Sequence, residues 1–169
     1  MTKLSGNDGD DVPDSHTELP IDPDADALRG RPLHLQAGAL LWVFCGGVLG
    51  TALRYAGESL VPHDGSGWPW ATFTVNLLGA FVLGSLLEGL ARSGADSGWR
   101  RRARLFAGTG FCGALTTYST FALEISLLGK GSHLVTAVGY GLGSVVGGVI
   151  AAWLGIVLAA DVHRRRVHS

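Results

Sequence analysis

"LVTAVGYGLGSVVGGVIAAWLGIVLAA", residues 134–160, carries no charged residue from end to end. A bilayer's hydrocarbon core is about 30 Å thick and takes about 20 apolar residues as a helix. This run is long enough to cross it. Working outward from it, three more uncharged runs come into view. Residues 105–123 read "LFAGTGFCGALTTYSTFAL" and resume after Glu124 to about Gly129; 68–87 read "WPWATFTVNLLGAFVLGSLL"; 37–53 read "AGALLWVFCGGVLGTAL" and meet Arg54 at once. Four such runs joined by short charged loops predict an all-α membrane protein with four transmembrane helices rather than a soluble core.

The charges lie outside those runs. Only 16% of the chain is charged, against about 25% in an average protein. Residues 1–31 hold eight acidic groups, among them Asp8, Asp14, Asp22 and Asp26, and three basic ones. Residues 1–36 are therefore expected to be a disordered acidic tail, 37–160 the membrane domain and 161–169 a basic C-terminal tail. No basic start followed by an apolar stretch precedes residue 37, so no signal peptide is expected. Basic residues set orientation. Arg92, Arg100, Arg101, Arg102 and Arg104 follow the second run, Arg164–Arg166 end the chain and Arg29 and Arg31 precede the first run, against Lys130 on the other side. Both termini are predicted to be cytoplasmic. Topology accounts for these arginines, so no nucleic-acid partner is expected.

Cys45 and Cys112 form no CxxC pair, and the six histidines fall outside the apolar runs without ligand-like spacing. A zinc site is not expected. No nucleophile–base pair, paired carboxylates or Walker loop is present, so the chain does not read as an enzyme.

Inside the runs, small residues let helix backbones approach. Gly139, Gly143, Gly147, Ala151 and Gly155 recur every four residues and read as a packing stripe. Beside them Tyr140, Ser144 and Gly148 form a second stripe, lining a path or bonding a neighbouring helix. Asn76, alone in the middle of the second run, needs a partner on another helix or in a wet cavity. Arg54 and Glu88 can snorkel to the interface, and Glu124 can line a vestibule beyond the polar part of the third run.

That polar part, "GTGFCGALTTYSTF" at 108–121, formally contains GxGxxG. The dinucleotide fingerprint needs a preceding strand and a βαβ unit, which a membrane span does not offer. Glycines at 108, 110 and 113 each weaken a helix by roughly 1 kcal/mol against Ala, and the Thr/Ser cluster can satisfy freed backbone groups. Non-helical backbone survives at membrane depth only when buried in protein or lining a cavity, and its carbonyls can hold a cation. Residues 110–117 therefore read as an interruption that binds or passes something small.

"GGVLGTALRY" (46–55), "TFTVNLLGAFVLG" (72–84) and "GTGFCGALTTYSTFALE" (108–124) resemble, in order, the successive signatures of the Fluc/CrcB fluoride channels. The resemblance covers roughly residues 40–160. It implies an antiparallel dual-topology dimer with the third helix of each subunit broken, and fluoride pathways along the subunit interface. It implies a structural sodium ion at the dimer centre, held rather than transported, on the backbone carbonyls of Gly113 and Thr116. Asn76 would donate its amide to fluoride, and Tyr118 and Phe121 would turn positive ring edges to the anion. Tyr140 and Ser144 would be the polar track of the fourth helix, with Arg54, Thr117 and Glu124 as further polar positions of the motif. Tyr118 departs from the phenylalanine usual there, and Gly148 is smaller than the hydroxyl residue sometimes found at its position. The expected role is passive export of cytoplasmic fluoride across the plasma membrane, which enters as neutral hydrogen fluoride and is trapped on dissociation.

The arginine bias argues for one orientation per chain, and hence for an oppositely oriented paralogue as partner, with a homodimer as the alternative. A small multidrug-type four-helix exporter is the competing function. It would want a membrane-embedded glutamate in the first run, which has none before Glu58. A scaffold held by glycine stripes would leave Asn76 and the Thr/Ser cluster unexplained.

Overall fold

The computed structural model describes residues 36–63 and 67–167; the acidic tail, up to residue 35, lies outside the described residues. The order is α1 (Ala37–Leu60), α2 (Trp70–Arg92), α3 (Gly98–Ala103), a π-helical segment (Arg104–Cys112), α4 (Gly113–Leu115), α5 (Tyr118–Lys130) and α6 (Leu134–Val167). Among the described residues there is no strand. Four stretches are long and apolar enough to cross a membrane: Ala37–Leu60, Trp70–Arg92, Gly98–Lys130 and Leu134–Arg165.

Local chemistry sets the ends. α1 continues past Arg54, because a single long cation can reach the interface without ending a helix. It stops where Pro62 disfavours helical geometry in the residue before it, and Val61 sits at φ −130°, ψ 69°. α2 starts directly behind Pro69. The N–H of Gly131 closes α5 on the Leu127 carbonyl at 2.8 Å. Ser132, at φ 64°, then turns the chain into α6. α6 runs unbroken through Val167, into the stretch expected to be a tail.

The large apolar side chains face outward. Phe44 is 68% exposed and Val135 89%, a distribution suited to lipid and costly in water. Small residues lie at the contacts instead, as packing without a hydrophobic drive requires. Gly84 of α2 lies against the Ala152 carbonyl of α6, and Gly155 of α6 lies against the Phe81 carbonyl of α2. Gly143 and Gly147 face Trp68 and Leu77 at 3.2 and 3.5 Å from the position a Cβ would take. The fourth run's glycine stripe is thus a packing surface. A second seam joins α1 to the π-helical segment, with Gly46 against the Phe106 carbonyl and Gly50 against that of Phe111.

The glycine-rich stretch differs from its expected form. Of residues 110–117, only Thr116 and Thr117 leave helical geometry. Gly108, Gly110 and Gly113 stay within it, and Gly108 and Gly110 are buried. Their missing side chains admit a neighbour rather than unwinding the chain: a Cβ on Gly110 would strike the Val43 carbonyl of α1. The same stretch follows the wider i→i+5 winding over Arg104–Cys112, a form frequent near functional sites.

Candidate functional site

Thr116 (φ −76°, ψ 152°) and Thr117 (φ −143°, ψ 127°) are extended between α4 and α5. Their polar groups find specific partners. The N–H of Thr116 and its hydroxyl both donate to the Cys112 carbonyl, at 3.1 and 3.0 Å. Thr117 caps α5: its Oγ1 accepts the Thr120 N–H at 3.2 Å. It also makes a two-way pair with Asn76 of α2, its N–H donating to Asn76 Oδ1 at 2.8 Å while Asn76 Nδ2 donates to its carbonyl at 3.1 Å. Asn76 is therefore glue between α2 and the extended pair. A primary amide carries two N–H donors, so one is left after this pairing.

The diversion releases other groups. Thr117's N–H goes to Asn76 instead of back to Gly113, and Thr120's goes to the Thr117 hydroxyl instead of to Thr116. The carbonyls of Gly113 and Thr116 thus receive no backbone N–H, and Gly113 is exposed.

Beside the extended pair is a cavity of about 290 Å³ lined by Asn76, Thr116, Thr117, Tyr118, Phe121, Ser144 and Val145. Ser144 Oγ is buried there and makes no close hydrogen bond to a described residue, although it lies beside the Tyr140 hydroxyl. The Tyr118 and Phe121 rings lie 6.2 Å apart, and Tyr118 is 80% exposed. The wall holds an amide, hydroxyls and two aromatic rings and no carboxylate.

A second polar group lies behind it. Glu124 is buried and accepts from the Thr72 hydroxyl at 2.6 Å and from the Tyr140 hydroxyl at 2.7 Å. Trp68 stands edge-on to Phe73 and Tyr140, and Phe121 packs on Tyr140 at 5.2 Å. Of the residues singled out in the sequence, Asn76, Thr116, Thr117, Tyr118, Phe121 and Ser144 meet at the cavity. Tyr140 and Glu124 are instead closed on each other, so Glu124 does not line a vestibule here. Arg54 is half-buried on α1 and is not part of the cavity wall. Thr72 was not foreseen, although its signal was present: a lone acid in a span must find donors on neighbouring spans.

The family described as CrcB-like protein, Camphor Resistance (CrcB), matches residues 41–156. The chain is 43% identical over 135 residues to a fluoride-specific ion channel, FluC 2, of Leifsonia xyli subsp. xyli, covering 80% of this chain and 92% of that protein. It is 41% identical over 124 residues to FluC 1 of Mycolicibacterium paratuberculosis, covering 73% and 92%. To FluC of Mesorhizobium japonicum it is 36% identical over 124 residues, covering 73% and 97%.

Proposed function

The chain belongs to the CrcB family, and from that premise we propose that it is a fluoride-specific ion channel of the cell membrane, not an enzyme. One observation supports the choice of ion most directly: the cavity wall leaves one Asn76 N–H and the Ser144 hydroxyl uncommitted, beside the Tyr118 and Phe121 rings, and holds no carboxylate. A small, strongly hydrated anion gives up its water only to closely placed N–H and O–H groups. The membrane potential moves one charge with about 2.3 kcal/mol per 100 mV, so cytoplasmic fluoride leaves without a coupled energy source.

The finer arrangement follows the same reading. The extended Thr116–Thr117 pair is the family's break in the third helix, and the open cavity is half of a pathway completed by a second subunit in antiparallel orientation. The carbonyls of Gly113 and Thr116 suit a structural sodium ion: both are oxygen donors freed from the helical ladder. Two from each subunit would make a four-oxygen cage on the two-fold axis. Its charge would favour an anion nearby. The excess of arginines over Lys130 in the segments between and beyond the spans supports cytoplasmic termini and an oppositely oriented paralogue rather than a second copy of this chain.

Fluoride efflux from liposomes containing the purified chain, read by electrode with chloride as control, tests the function. Fast fluoride release without chloride is the expected result, from this chain alone if a homodimer suffices and otherwise on co-reconstitution with a paralogue. Absence of release in both preparations overturns the channel reading.

A further inference from the structure

The arginines that set topology are not equivalent in the fold. Arg92 pairs with Glu88 at 2.5 Å, Arg104 with Asp96 at 2.6 Å and Arg165 with Asp161 at 2.8 Å. Those are the carboxylates at this end of the bundle among the described residues, and each is already engaged. Arg100 donates to the Ala95 carbonyl and lies over the Trp99 ring at 5.7 Å. Among the described residues, Arg101 and Arg102 have no carboxylate partner.

They are not simply solvated. Both line a cavity of about 350 Å³ between the start of α1 and α3, with Gly38 and Trp42 of α1 and Leu105 of the π-helical segment among its other walls. Trp42 stands edge-on to Phe106, with ring centroids 6.2 Å apart. Gly38 has no atom within 4 Å of the position a Cβ would take, so space lies open over the helix there. Down α1, Leu41 (60%), Cys45 and Leu49 (54%) are exposed and share the face of Gly38 and Trp42 at helical spacing, an apolar track running down the span. Uncompensated cations, an interfacial tryptophan and an apolar track leading away match a molecule that is anionic at one end and hydrocarbon at the other.

We infer that this cavity is a binding site for an anionic phospholipid, with its phosphate on Arg101 and Arg102, its glycerol over Gly38 and an acyl chain along Trp42 and the outer face of α1. Basic pockets at the ends of membrane helices hold such headgroups. A free phosphate shares the charge but has no use for the track, which decides between the two. The site lies outside the cavity at Asn76, and its test is independent of fluoride transport.

The experiment titrates the detergent-purified full chain with phosphatidylglycerol, read by native mass spectrometry against phosphatidylcholine. The wild-type chain is expected to retain phosphatidylglycerol selectively. Arg101→Gln/Arg102→Gln is expected to bind roughly tenfold to thirtyfold more weakly, the scale of two cations' attraction to an anionic headgroup. Arg92→Gln/Arg165→Gln removes the same charge from paired arginines and should stay within about threefold of wild type. Gly38→Leu leaves all charges in place and fills the open space. It should weaken binding severalfold, and it decides the matter if the double arginine variant fails to fold. Equal losses from the two arginine pairs, or no loss from Gly38→Leu, would overturn the site. Displacement by millimolar glycerol phosphate would overturn the lipid assignment in favour of a soluble phosphate.

Discussion

Two polar clusters sit in the membrane-spanning part of this chain. Around Glu124, each carboxylate oxygen takes one short hydroxyl bond, from Thr72 and from Tyr140, and aromatic rings seal the group. Around Asn76, one amide N–H and the Ser144 hydroxyl are left over, and a cavity opens beside them. An unsatisfied polar group away from water costs about 1–3 kcal/mol, so the second cluster is costly unless something binds there. The first cluster holds helices together, whereas the second carries the unpaired donors that the proposed anion path would use.

The largest effect is expected at Asn76. Asn76→Leu removes the remaining donor and both bonds to Thr117, and fluoride efflux should fall at least about a hundredfold, the scale of losing one buried donor to a developing or bound anion. Asn76→Asp keeps the acceptor for Thr117's N–H and should lose as much transport at smaller structural cost. Efflux within threefold of wild type in both would break the comparison. Next comes the sealed cluster: Glu124→Ala strands two buried hydroxyls, and stability should fall by about 2–4 kcal/mol, read by thermal unfolding in detergent. An unchanged unfolding curve would show that the cluster is not structural.

Ser144→Ala separates the two clusters. Because Ser144 Oγ makes no close hydrogen bond and only lies beside the Tyr140 hydroxyl, its removal should leave stability nearly unchanged. Fluoride efflux should drop about threefold to tenfold. A loss of stability would mean that the hydroxyl has a structural bond after all. The smallest change is expected from Tyr118→Phe, since the ring edge survives and the phenol of this exposed side chain makes no hydrogen bond to another described residue. Efflux should stay within about twofold. A larger drop would add the phenol to the anion's donors.

How much of this was legible in the sequence depended on how local the cause was. The four spans were readable because lipid imposes a length and excludes charge run by run. The location of the extended residues was only partly readable. Glycine weakens a helix in isolation, which pointed to 110–117, yet Gly110 is helical and its missing side chain admits a carbonyl of α1. That is a tertiary contact with no trace in local spacing, as is the π-helical winding it accompanies. Asn76 was legible as a residue in need of a partner, but not as one bonded at both ends to the backbone of a single residue. The closing of Glu124 on Thr72 and Tyr140 needed three helices to be superposed, and one-dimensional periodicity cannot supply that.

The double bond between Asn76 and Thr117 has one more consequence. An amide held at both its oxygen and its nitrogen by the backbone of one residue cannot swivel, so its last N–H points in one direction fixed before any ion arrives. The orienting cost that a free asparagine would bear on each passage has already been met during folding. In the vocabulary of catalysis this is preorganisation, here in the service of transit: a donor that need not turn toward the anion also need not turn away to release it.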